Sequence, residues 1–300
     1  MKFLLAGDLH IDMNKPERRT DDYWETVQKK VNFILDLAAQ EKAVILQPGD
    51  FFNSHKANDY LKRWVIERLR LKEINILAVF GQHDLRYHSS DTKNTPLAVL
   101  QAAGHVEILS NDPLKYTGVD VYGASWWEEI PKLINTQRTN ILVLHKMIIK
   151  DEKLWEGQED ATMGNILLKS SGFDLILSGD NHSHFTISTK TGKHLVNCGS
   201  LLRTAIDQSD HVPTVYIYDT VKKTITPHVV PHKPFSEVFD LSKYEAEKER
   251  DEKLEAFLTR MTGEVELEGL DFIKNMDTYV SQNEQEIDEM TLGIIEEVMA

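Results

Sequence analysis

The chain is punctuated by short apolar runs, and five of them stop at residues able to bind a metal ion. Lys2–Ala6 ends at Gly7-Asp8 with His10 close behind, and Ala43–Leu46 leads to Gly49-Asp50. Ile74–Phe80 ends at Gly81-Gln82-His83-Asp84, Ile141–Leu144 ends at His145, and Leu175–Leu177 leads through Gly179 to His182 and His184. Continuous apolar runs of this length read as buried strands. In an open α/β sheet, ligands gather beyond the carboxyl ends of the strands. Residues spread from position 8 to position 184 are therefore able to converge on one spot.

The intervening segments have helical periodicity. Asp22–Gln40 carries Val27, Val31, Ile34, Leu35 and Ala38 on one stripe, and Asp59–Lys72 carries Leu61, Trp64, Val65 and Leu69. Pro96–Ala103 reads as a short helix stopped by Gly104, and 161–171 as one more. From Val106 onward strands dominate, over 106–109, 119–124, 140–144, 174–178, 185–189, 194–197, 214–218 and 224–230. Strands alternating with helices, then strands in succession, predict an α/β protein with a mixed sheet, or two packed sheets with helices outside.

Carboxylates and imidazoles without a nearby cysteine suit manganese, iron or zinc. Two such ions, about 3.5–4 Å apart, commonly share a bridging carboxylate and activate water for attack on phosphorus. In an extended backbone residues i and i+2 face the same way, so Asp8-x-His10 and His182-x-His184 are each a natural two-pronged grip. Asp50 stands between them as a bridging ligand would. A Gly-Asp pair at a strand end is by itself usually a turn, and a lone Asp-x-His is more often accidental. The joint occurrence of five such motifs, each after an apolar strand, makes coincidence improbable. His55, His105, His194, His211, His228 and His232 are expected to be ordinary surface or loop residues.

The ordered series GDLH, GD, GQHD, a lone His and HSH resembles the calcineurin-like metallophosphoesterase superfamily. The likeness covers most of residues 1–234. It implies a four-layer α/β/β/α sandwich of two mixed sheets flanked by helices. It further implies that Asp8, His10, Asp50 and His184 hold one divalent metal, and Asp50, Gln82, His145 and His182 the other. His83 would be the catalytic histidine, with Asp84 fixing its imidazole. The segments GDFFN at 49–53 and NCGSLLR at 197–203 are most similar to the nuclease subunit of SbcCD-type DNA-repair complexes, including phage relatives. That narrower likeness implies DNA as substrate, manganese as the first choice of metal with magnesium, iron or zinc as others, an SMC-like ATPase as partner and a homodimer. Asn53 and Arg203 are then candidate substrate contacts. A phosphatase or phosphodiesterase on cyclic nucleotides or phosphoprotein is the alternative enzyme, and a DNA-end-binding scaffold the non-catalytic one.

Three residues depart from the family pattern. Gln82 stands where the family has Asn, and its extra methylene displaces the amide oxygen unless the backbone compensates. The fifth motif reads GDNHSH, so Asp180 and Asn181 separate the glycine from the first histidine, and Asp180 has no assigned role. Cys198 stands where these nucleases usually have Pro; as the only cysteine it excludes an internal disulfide and reads as a small buried side chain.

Net charge at first argues against nucleic acid. Of the 300 residues, 48 are Asp or Glu and 34 Lys or Arg, a net of -14. Residues 235–300 hold 19 of the acids and 6 of the bases, a net of -13, which leaves 29 and 28, a net of -1, for residues 1–234. The proline pair Pro231 and Pro234 marks the break. We therefore expect a catalytic domain over 1–234 and a small, acidic, α-rich capping or partner-docking region over 235–300, with helices at 243–262 and 281–299. The apolar start of the chain is too short for a signal-peptide core and no run approaches a membrane span, so a cytoplasmic or nucleoid-associated protein, phage-encoded or cellular, is expected. The helix bearing Leu61 and Trp64 offers either a solvated basic face or a dimer surface. Trp126-Trp127 is expected to pack in the core rather than cover the site.

Overall fold

A computed structural model describes residues 1–150 and 161–241 of the chain. The expected tail helices at 243–262 and 281–299 lie outside the described residues. In chain order the described strands are β1 (Lys2–Leu5), β2 (Val44–Gln47), β3 (Ile76–Ala78), β4 (Val106–Ile108), β5 (Leu114–Tyr116), β6 (Val119–Ala124) and β7 (Thr139–His145). They continue with β8 (Ile148–Ile149), β9 (Thr162–Met163), β10 (Leu175–Gly179), β11 (Phe185–Ser188), β12 (His194–Asn197), β13 (Thr214–Asp219) and β14 (Thr224–Val229). The helices are α1 (Tyr23–Glu41), α2 (Asp59–Lys72), α3 (Pro96–Ala102), α4 (Gly164–Ser170) and the short α5 (Phe235–Val238).

Each long helix starts where its sequence supplies a cap. Asp22 accepts the Glu25 amide ahead of α1, Asn58 the Leu61 amide ahead of α2, and Thr95 the Ala98 amide ahead of α3, where Pro96 occupies the first turn. The strands form two six-stranded mixed sheets. The first runs β14-β13-β1-β2-β3-β4 and the second β11-β12-β10-β7-β6-β5. In the first, β1 to β4 are parallel out to one edge and β13 and β14 add antiparallel at the other; in the second, the four central strands are parallel and the two outer ones antiparallel. A separate two-stranded ladder joins β8 and β9.

Alternation along the strands sorts the apolar residues into three layers. Leu4 and Ala6 of the β1 segment face α1, α2 and α3, with Ile45, Ile76 and the helix residues Val27, Ile34, Trp64 and Leu97. Phe3 and Leu5 face the other way and meet Val143, Leu177 and Val196 between the sheets. Leu142, Leu144 and Ile176 leave the second sheet on its far side and pack under Leu167 and Leu168 of α4. The layers are thus helix, sheet, sheet, helix, the four-layer sandwich expected. Strands β5, β8 and β9 were not foreseen, because two or three residues are too few to display a period.

Leu61 and Trp64 are buried against α1 within the subunit, so they offer no surface to a second copy. Trp126 packs on the helix-side core, while Trp127 lies at the surface with its ring 6.1 Å from that of Phe80. Cys198 is buried between the sheets and donates its S–H to the Leu5 carbonyl. No helix among the described residues is long and apolar enough to cross a membrane.

One charged residue of α1 belongs to the interior. Lys30 is 2% exposed and donates from Nζ to the Leu201 carbonyl at 2.6 Å, tying α1 to the loop after β12. Burial, reinforced by Arg203 and Arg19 nearby, lowers its pKa to about 7. From about pH 7 up to the ordinary lysine range the unfolded chain then binds the proton that the folded chain has lost. Stability relative to a Lys30→Met variant should therefore rise with pH across that window. Urea unfolding of both proteins between pH 6.5 and 10 checks this, and parallel curves would refute it.

Candidate metal centre

Backbone pairing does not stop at the strand ends. Beyond β1 and β2, the His10 amide donates to the Asp50 carbonyl, the Ile11 amide to Phe51 and the Asn53 amide back to Ile11. On the other side the Leu201 amide donates to the Asp8 carbonyl and the Ser200 amide to that of His182. The loops after β1, β2, β10 and β12 are thereby stitched into one rigid floor.

The chain turns sharply within that floor. His10, Asp50 and Asp180 have positive φ, at 44°, 52° and 79°. Asp, Asn and His tolerate this region better than other residues with a Cβ, yet each such turn still costs of the order of 1 kcal/mol. Glycine is required where the floor comes closest. Gly49 has φ 104°, and a Cβ there would lie 2.5 Å from Nδ1 of His145; a Cβ on Gly179 would lie 2.5 Å from Oδ1 of Asp8.

The floor gathers the side chains that the strand-end motifs predicted. Asp50 is fully buried, and its Oδ1 accepts the His83 amide at 2.9 Å. Its Oδ2 faces three imidazoles, with Nε2 of His145 at 3.5 Å, His10 at 3.8 Å and His83 at 4.0 Å. Asp8 accepts the Asp180 amide through Oδ2, which lies 4.0 Å from Nε2 of His182. The Nε2 atoms of His10 and His182 approach to 3.1 Å. Asp8, His10 and His182 form one group whose potential ligand atoms lie within 4.8 Å of one another; His10, Asp50 and His83 form a second.

Within this cluster Asp8 Oδ1, Asp50 Oδ2, Gln82 Oε1 and His145 Nε2 are buried with no hydrogen-bond partner. Leaving such atoms dry and unpaired is costly. Four orphaned lone-pair donors converging from separate loops are the donor set of a hard or borderline divalent cation, and the residues present fit such ions. Asp50 and His10 stand in the form that ligates metal, whereas Asp8 and His145 favour a proton that a cation would have to displace. Burial pushes Asp8 well above the usual carboxylate range, whereas His145, His10 and His83 together outweigh burial at Asp50 and bring it below. Burial holds His10 down to about 3, so its imidazole is neutral at physiological pH, the form that ligates metal. Burial also lowers His145, but Asp50 and Asp8 outweigh it and raise that group to about 8.

The Gln82 and Asp180 departures answer each other. The Gln82 amide donates from Nε2 to Oδ1 of Asp180 at 2.8 Å. With its nitrogen committed, the amide leaves Oε1 as the free atom in the buried cluster. The longer side chain and the inserted aspartate make a pair.

Two residues missed by the sequence reading support the histidines. Gln208, in the loop before β13, donates from Nε2 to Nδ1 of His182 at 3.3 Å and to Oγ of Ser200 at 3.1 Å. His211, expected to be an ordinary loop residue, is buried with its Nε2 bonded to the Ser200 carbonyl at 2.7 Å. Its ring lies 5.6 Å from that of His184, which is exposed and belongs to neither potential ligand group. The resemblance paired His184 with Asp8 and His10, yet His182 is the histidine that stands beside them. Neither Gln208 nor His211 follows an apolar strand directly, so strand-end logic passes over both.

Two other expectations are corrected. Asp84 does not touch the His83 ring; it is fully buried and accepts the amides of Phe51, Phe52 and Gly81, stapling the second loop to the third. Burial, then the Asp50 charge, raises it to about 7. The His83 imidazole is instead held at Nδ1 by the Asn53 carbonyl, 3.0 Å away. The Asn53 side chain is exposed at the cleft, where its amide donates to Asp12, while its main-chain carbonyl does the orienting. Arg203 turns inward: it is 4% exposed, donates to the Lys233 carbonyl and stacks over Phe235 at 5.5 Å, because burial against an aromatic ring takes the guanidinium away from solvent.

Residues 1–184 match the family model for calcineurin-like phosphoesterases. No curated protein matches the chain. Solved structures that resemble it include the protein TT1561 of Thermus thermophilus, at 11% identity and a TM-score of 0.47, covering 77% of this chain and 99% of that one. A 5'-nucleotidase precursor from the same organism resembles it at 10% identity and a TM-score of 0.42, with 77% of this chain matched to 54% of that one. This chain thus spans about half the length of that nucleotidase precursor.

Two outcomes are expected. Asp84→Ala strands three backbone amides and should destabilise the protein by about 3 kcal/mol or more, read from urea midpoints. Asp180→Ala releases Gln82 and should weaken divalent-metal binding about tenfold in calorimetric titration, as loss of a group that orients a ligand commonly does. Unchanged affinity would mean that Asp180 leaves Gln82 no better placed.

Proposed function

Because the chain belongs to the calcineurin-like phosphoesterase family of metal-dependent hydrolases, we propose that it is a DNA phosphodiesterase, an exo- or endonuclease subunit working with an SMC-like ATPase. The observation that carries the hydrolytic part is the free Oδ2 of Asp50, buried and facing three imidazoles. Asp8, His10, Asp50, Gln82, His145 and His182 would hold two divalent ions, manganese first, with His184 at the exposed rim. Ions bound there supply Lewis-acid polarisation of the phosphate and lower the pKa of water.

The chain's own residues do the rest. The Asn53 carbonyl can only accept, so Nδ1 of His83 carries a hydrogen and Nε2 is left for the substrate. His83 is exposed at the cleft, so a proton on Nε2 can pass to a departing alkoxide oxygen. Asp50 anchors the same residue by accepting its backbone amide.

DNA is supported by three features. GDFFN and NCGSLLR, the segments most like a DNA-repair nuclease, both lie in the floor of the site, where Gly199 packs against the backbone of His182 and His184. The cleft beside His83 faces solvent and is bordered by Asn53, Ser54, His55, Gln82, Leu85 and Tyr87, which gives a nucleic-acid strand access to it. Residues 1–234, which carry the site motifs, net -1, so most of the acidic excess of the sequence lies outside the region that carries them.

A nuclease assay with added manganese on linear, hairpin and circular DNA tests the proposal. Cleavage is expected, with a loss of at least about 100-fold in His83→Gln, in the range of a general acid–base contribution, and with no detectable cleavage by Asp8→Asn. Hydrolysis of cyclic nucleotides or phosphoprotein with no cutting of DNA would overturn the substrate and leave the metal chemistry standing.

A further inference from the structure

Tyr87 is not explained by folding. It is a large aromatic residue at 80% exposure, so its ring stabilises little by burial. Its backbone nevertheless sits at φ 52° and ψ 34°, in the left-handed region that bulky residues rarely adopt. Strain at an exposed, unburied side chain has to be sustained by its surroundings, and such positions cluster where a ligand is handled.

The surroundings have the chemistry of a base-stacking surface. The guanidinium carbon of Arg86 lies 5.2 Å from the centre of the Tyr87 ring, and the His55 ring lies 6.0 Å away, tilted by 50°. Tyr87 and His55 border the same cleft as Gln82 and His83. An aromatic ring beside an arginine is the pairing that holds single-stranded nucleic acid, because every base has a face to stack while the cation attends to ring or phosphate. A base inside a duplex has both faces covered by its neighbours. Only a base outside the stack can use such a ring.

We propose that Tyr87, with Arg86 and His55 beside it, stacks an unpaired nucleobase next to the scissile phosphate, so that the site takes single-stranded DNA or frayed ends rather than closed duplex. This rests on the DNA reading above and adds which form of DNA the cleft accepts.

The test compares a single-stranded oligonucleotide with the same strand carrying abasic tetrahydrofuran units, using wild type, Tyr87→Ala and Tyr87→Phe. Wild type should prefer the base-bearing strand about tenfold in kcat/KM, mostly through KM, the lower part of the range that stacking on one aromatic residue gives. That preference should collapse in Tyr87→Ala and survive in Tyr87→Phe. A second readout needs no turnover: with chelator present, a 2-aminopurine base in the strand should lose fluorescence on binding wild type and Tyr87→Phe, and keep it with Tyr87→Ala. Equal preference for base-bearing and abasic strands in wild type and Tyr87→Ala overturns the assignment and leaves the nuclease reading intact. Cleavage of neither strand by a wild type that does cut linear or hairpin duplex overturns this assignment alone, whereas cleavage of no DNA of any form overturns the DNA reading and this assignment with it.

Discussion

Everything near the site answers to one constraint, that several lone pairs are buried without a hydrogen bond. Asp8 Oδ1, Asp50 Oδ2, Gln82 Oε1 and His145 Nε2 converge in one buried cluster, and each such atom costs about 1–3 kcal/mol when nothing pairs with it. A flexible chain would relieve that cost by letting the loops drift into water. Here they cannot drift. The backbone ladder runs past the strand ends, Asp84 ties the Asp50 loop to the Gln82 loop, and Lys30 ties α1 to the loop after β12. Three apolar layers beneath these ties supply the stability that a frustrated polar cluster removes. The arrangement resembles a preorganised cation cage, in which repulsion among the ligands is held in place until charge of the opposite sign arrives.

Departures from the family pattern are informative because each has a local partner. Gln82 is longer than the expected residue, and Asp180, an insertion in the last motif, takes up its amide nitrogen. The carboxylate beside His83 stabilises loop backbone rather than the ring, and a main-chain carbonyl from the second loop orients the ring instead. A carbonyl has no side-chain signature, so no reading of residue types alone could have assigned it that task. The same holds for Arg203, whose type suggests phosphate and whose surroundings make it a buried strut.

The strands were legible because β7 and β10 are buried on both faces and read as unbroken apolar runs. The helices were legible because α1, α2 and α3 bury one stripe and begin at an Asp, an Asn or a Thr that caps them. Strands β5, β8 and β9 were not, since pairing with a neighbour defines them and periodicity does not. Leu61 and Trp64 show the opposite error: an apolar stripe says that a face is covered, not by what, and here α1 covers it. Gln208 and His211 reach the site from a loop far along the chain, with nothing at that point of the sequence to mark them.

The sequence by itself determined the fold class and the strand-end residues that meet at the site, because strand burial and chelating chemistry both leave local marks: an apolar run, then Asp or His at fixed short spacing. Only the tertiary structure decided which imidazole stands beside which carboxylate. It alone placed His182 next to His10, left His184 at the rim, closed the Gln82–Asp180 pair and set Tyr87 in the open beside His83. Those relations are distances between segments far apart in the chain, 172 residues in the case of His10 and His182, fixed by sheet register and loop crossings. Such distances are properties of the packed whole and are not written in any one stretch of chain.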